Sequence, residues 1–98
     1  MSHELSQALG HLRQAAHQLL VQTDPTGQTL RLACQILDIE NSLEEVGIRP
    51  VWVAAASSAA DSTIAAIRLL TRSPQAVPSD VWPALENLLT EVGDHGHR

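Results

Sequence analysis

Apolar residues recur at alternating spacings of four and three through Leu32, Ile36, Ile39, Leu43 and Val46. That period describes a helix burying one face, and Leu30, Ala33 and Leu37 widen the stripe. The rhythm returns in Leu5, Leu9, Leu12, Ala16 and Leu19 and again in Val81, Leu85, Leu88 and Val92. Composition agrees: there is no Phe or Tyr, and fourteen Leu and thirteen Ala outnumber the twelve Val and Ile, a mixture that favours helix over strand.

Helix boundaries follow from caps and breakers. Ser2 caps the first helix, Asp24 with Pro25 starts the second, and Gly47 ends it. Pro50 opens a third. "SPQAVPS" ends that one, Asp80 caps a fourth with Pro83 still in its first turn, and Gly93 closes it. The expected helices are therefore 3–22, 25–46, 51–72 and 80–92. Connections this short bring each helix back beside the last, so the fold expected is an all-α, small antiparallel four-helix bundle. It forms one domain over 1–93 with a flexible tail at 94–98. Gly10 inside the first helix costs about 1 kcal/mol against Ala, which is reasonable where another backbone comes close; a break in the helix is the other reading.

From Ala54 to Thr63 the chain reads "AAASSAADST", with nothing larger than Asp. On a helix, Ala55, Ala59 and Ser62 share one stripe and Ala56, Ala60 and Thr63 the next. Such a flank lets a second helix approach at the short end of the usual 8–10 Å range. Two occupants fit: the larger side chains of this chain's own helices, or the same helix of a second copy in a homodimer.

Net charge is −5, with no Lys and six Arg, which disfavours phosphate-rich partners and anionic membranes. No stretch approaches the roughly 20 apolar residues of a membrane span, and the N-terminus lacks a secretory pattern. A cytoplasmic protein is expected. The lone Cys34 allows no intrachain disulfide, and its place beside the apolar stripe predicts a small buried hydrophobe.

Residues able to carry catalysis or bind metal are scattered. His3, His95 and His97 are terminal, and His11 and His17 lie six apart on different helix faces. Neither a metal nor a cofactor is expected. Ser57, Ser58 and Asp61 offer hydroxyls and a carboxylate with no histidine among them, so the expectation is a protein that is not an enzyme.

Two groups suit a protein partner. Asp38, Glu40, Glu44 and Glu45 gather near the end of the second helix, an acidic patch for a basic surface. Trp52 and Trp82 each fall in the first turn of an expected helix, as anchors or as lids on the core. The leading expectation is a protein–protein interaction module, a small regulator or inhibitor.

Leu43, Val46, Gly47, Ile48, Val53 and Ala56 are spaced in a way that resembles a helix-turn-helix over 43–57, which would imply a nucleic-acid-linked transcriptional regulator. The segment's only basic residue is Arg49, beside Glu44 and Glu45, where phosphate and base contacts call for more. The Asp61-Ser62 pair in "ADST" resembles the prosthetic-arm site of acyl carrier proteins, which are small, acidic and four-helical. The family's serine starts a helix after a long loop, whereas the expected third helix puts Ser62 at its middle. "SLEEVG" is nearer to that loop, yet Pro50 stands in the serine's place.

Overall fold

A computed structural model describes residues 3–21, 27–54, 56 and 58–96, the last five as helical backbone. The periodic segments form α1 (His3–Leu20), α2 (Gln28–Glu45), α3 (Ala59–Leu70) and α4 (Val81–Gly96), with a single 3-10 turn at Pro74–Ala76. The caps expected at Ser2 and at Asp24 with Pro25 lie outside the described residues.

α1 buries its stripe, α2 buries its own as far as Leu43 with Val46 just past the helix 54% exposed, and α4 buries Val81, Leu85 and Leu88, the Val92 side chain lying outside the described residues. Leu5, Leu9, Leu12 and Leu19 of α1 meet Leu32, Ile36, Ile39 and Leu43 of α2, Ala66 and Leu70 of α3, and Leu85 and Leu88 of α4 in one core. Leu30 and Leu37 are exposed, so the buried face of α2 is narrower than expected. Cys34 between them is exposed as well, which corrects its reading as a core residue. At roughly 100° per residue it sits about 100° around the helix from Ala33 and about 160° from Ile36, on the face turned away from the core.

Gly47 ends α2 as expected. At φ +96° it occupies the left-handed region that favours glycine, its N–H donating to Glu44 O (3.0 Å) and that of Ile48 to Leu43 O (3.2 Å). This paired closure satisfies the last carbonyls of the helix, and Ile48 folds back on the core. Gly93 does not stop α4, which runs to Gly96; without a positive φ a helical glycine is a penalty of about 1 kcal/mol, not a terminator.

α1 packs on α2 and α3, and α4 packs on the same two, leaving α1 and α4 at opposite corners. Arg13 reaches Glu40 and Glu44, and Gln18 near the end of α1 reaches Ser62 near the start of α3. At the other end Arg72, just past α3, pairs with Glu4. Both partners thus run antiparallel to α1 and parallel to each other. Chain leaving α2 at one end of the bundle must cross to the other before α3 begins.

That crossing is the main departure from the sequence expectation, which started a helix at 51. Val51–Ala54 lie outside any helix, and burial alternates through them, with Val53 buried between the exposed Trp52 and Ala54 as in an extended segment. The Val51 N–H donates to Ser6 O (3.4 Å), and the Gln18 amide donates from Nε2 to Ala56 O (2.9 Å). From Ser6 to Gln18 a helix climbs about 18 Å, and five extended residues span about 17 Å; only an extended strap covers that distance. Its sequence agrees with this. Pro50 pushes Arg49 out of the helical region, Val51, Trp52 and Val53 favour extended backbone, and Ser58 caps α3, its Oγ accepting from Asp61 N (3.2 Å). With residues 51–54 extended, the helix-turn-helix over 43–57 does not form.

The strap explains Gly10. A Cβ there would overlap the Val51 carbonyl and crowd Val53 Cγ1 at 3.2 Å, so the close backbone is the strap and α1 runs unbroken. Gly10→Ala is expected to lower unfolding free energy by about 1–3 kcal/mol through overpacking, despite a helix-propensity gain of about 1 kcal/mol; urea denaturation checks the sign. Gln18→Leu, which strips partners from Ser62 Oγ and Ala56 O together, is expected to cost about 1–3 kcal/mol by the same measurement.

Candidate functional site

The strap carries the most exposed large hydrophobic side chain among the described residues. In an extended segment successive side chains point to opposite sides: Val53 turns inward and is buried, while Trp52 turns outward and is 84% exposed. Beside it lies an open groove of about 570 Å³ bounded by the strap, α1 and α3, and lined by Gln7, His11, Val53, Ala54, Ala65, Arg68 and Leu69 together with Trp52. Its walls are apolar and its polar groups few. Arg68 is exposed and makes no ion pair among the described residues. The Nδ1 of His11 is buried without a hydrogen-bond partner, and burial holds the imidazole below its ordinary pKa of 6.5. The groove therefore offers one fixed positive charge, a neutral imidazole at pH 7 and an indole.

Trp82 is placed differently. It opens α4 half-buried against the core, which makes it a lid on the bundle's end. The two tryptophans expected to behave alike are separated because one precedes a helix on a strap and the other lies within a helix.

The four acidic residues do not form one patch. Glu40 and Glu44, one turn apart, face α1, where Arg13 Nε stands 3.4 Å from Glu40 Oε1 and Nη2 3.5 Å from Glu44 Oε2. Asp38 and Glu45, seven apart, lie on the exposed face. Glu40 is only 3% exposed, so it cannot meet a partner, and its Oε1 lacks a hydrogen bond. Burial raises its pKa above the ordinary 4.5, and Arg13 only partly pulls it back.

The small-residue flank is also internal. Ala59, Ser62 and Thr63 are buried and Ala60 packs partly against the core; Ala56 lies on the strap and Ala55 falls outside the described residues. Ser62 donates from Oγ to Gln18 Oε1 (2.9 Å), and Thr63 from Oγ1 to Ala59 O (2.9 Å). The chain's own α1 packs on this flank, where the sequence allowed either the chain's own helices or a second copy. Because α3 starts at Ala59, Ser62 does fall in the first turn after a long connection, as in acyl carrier proteins. It is 0% exposed, however, and presents no hydroxyl for a prosthetic arm.

Among the described residues no three His, Cys, Asp or Glu side chains converge as a metal site, and no helix is long and apolar enough to cross a membrane. Comparisons with protein-family models, with curated proteins and with solved structures find no match.

Sequence reasoning missed the groove because it spans three segments distant in the chain. Its signal was the β-branched and aromatic "PVWV" followed by the cap Ser58-Ala59-Ala60-Asp61.

A raised carboxyl pKa in the folded state means that the folded chain binds more protons between the unfolded and folded values. Stability from Glu40 is thus present below about pH 4.5 and lost as pH rises through that window. Thermal melts from pH 4 to 7 are expected to show Glu40→Gln gaining on the wild type as pH rises.

Proposed function

We propose that this chain is a non-enzymatic helical interaction module, a small cytoplasmic regulator or inhibitor that acts by covering part of a partner protein. The observation that carries the reading is Trp52, 84% exposed on a strap anchored at both ends. Leaving an indole in water forgoes the stabilisation of burying it, and Trp is among the residues that most often dominate binding energy. The strap is held on α1, so the indole's backbone is ordered before a partner arrives and less entropy is lost on association.

The groove beside it indicates the partner's complementary chemistry. An apolar side chain fits against Val53, Ala65 and Leu69, and a carboxylate fits Arg68. The basic partner surface expected from the acidic residues has less to meet, because Glu40 and Glu44 are engaged by Arg13. Asp38 and Glu45 remain for it.

Trp52→Ala is expected to change unfolding free energy by less than about 0.5 kcal/mol, as surface substitutions do, while abolishing retention of partners that the immobilised wild type recovers from its host. Arg68→Glu should weaken the same partners, and Trp82→Leu, altered at the core end, should retain them. Recovery of every partner by Trp52→Ala at wild-type yield would refute the assignment.

A further inference from the structure

The outer face of α2 carries two leucines beside its polar residues, where the sequence stripe led one to expect burial. Leu30 is 58% and Leu37 43% exposed, with Cys34 exposed between them. On the 100° helical wheel Cys34 is central, Leu30 and Leu37 form the edge toward α1, and Arg31 and Asp38 form the opposite edge. The exposed Leu20 and Val21 at the end of α1 extend the leucine edge. With Arg13 against Glu40 and the two helices antiparallel, Leu20 stands level with Ala33.

Two charges on this face are unmatched. Arg13, Glu4, Glu40, Glu44 and Arg72 are paired, but Arg31 and Asp38 make no ion pair among the described residues, and seven residues hold them about 10 Å apart along the helix.

We infer that this face binds a second copy of the chain, as an antiparallel α2–α2 pair about a two-fold axis. An axis perpendicular to the plane of the two helices keeps like edges together. Arg31 then faces Asp38 of the partner subunit when the axis passes level with position 34.5, and Leu30 faces Leu37 of the partner subunit when it passes level with 33.5. The two requirements differ by one residue, about 1.5 Å of rise, and both put the axis beside Cys34. One edge is matched in charge and the other in apolar surface by two-fold axes only one residue apart, and an axis level with Cys34 serves both. A parallel pairing about an axis along the helices would instead set each charged edge, Arg31 and Asp38, against the partner's leucine edge and leave both charges without a counterpart. Three turns of one helix bury less than the roughly 800 Å² per partner of a standard interface, so the dimer is concentration-dependent. This surface is separate from the Trp52 groove, and the inference stands independently of the proposed function.

Sedimentation equilibrium of the full chain from micromolar to millimolar concentration tests it. The wild type is expected to dimerise reversibly. Arg31→Asp and Asp38→Arg should each weaken association about tenfold, two opposite-charge contacts becoming two like-charge ones, and the double variant should recover wild-type affinity. Leu37→Glu should be monomeric, with circular dichroism showing that each variant remains helical. A short bismaleimide should link two wild-type chains, and none in Cys34→Ser. A wild type that stays monomeric throughout, a dimer indifferent to both charge reversals, or a double variant no better than either single would overturn the inference.

Discussion

The Val51 carbonyl occupies the space a side chain at position 10 would need, and the rest of the architecture depends on that close approach. A strap can lie on a helix only where the helix lacks bulk. Gly10 supplies the gap at one end, and Gln18 fastens the other by donating to Ala56 O while accepting from Ser62. With the strap seated, α3 starts at the far end of α1 and runs parallel to α2. This order also hides the small residues of α3 and leaves the strap's outward side chain, Trp52, in water.

Packing within the bundle accommodates polar groups by two routes. Ser62 and Thr63 are buried, yet both hydroxyls donate hydrogen bonds, so desolvation is offset. Glu40 is buried with one oxygen lacking a hydrogen bond, and its nearest cation belongs to the largely exposed Arg13. Removing a carboxylate from water costs more than an exposed guanidinium at 3.4 Å returns, which is why its pKa lies above the ordinary 4.5.

The fold leaves its surface with two unlike faces. Around Trp52 an extended segment and two helices form a concavity, whose shape exists only in the folded chain. On α2 the exposed face is a simple helical surface defined by spacing alone, with Leu30 and Leu37 on one edge and Arg31 and Asp38 on the other. The first suits an insertion from a dissimilar partner and the second suits its own copy.

Local periodicity determined the helical class, the buried leucines and the end of α2, because each depends on residues within about two turns: Leu32 through Leu43 state their face directly, and Gly47 states its turn. The acidic residues were legible in kind but not in place, since two helical faces divide Asp38 and Glu45 from Glu40 and Glu44. Ala54–Thr63 read as one helix because Ala and Ser are compatible with it, although Pro50, "VWV" and Ser58 already marked an extended stretch and a cap. What only tertiary structure decided was the direction of α3, and with it the strap, the groove and the fate of the small residues. Those depend on which helices share α1, a choice set by packing between segments some forty residues apart that no local pattern encodes.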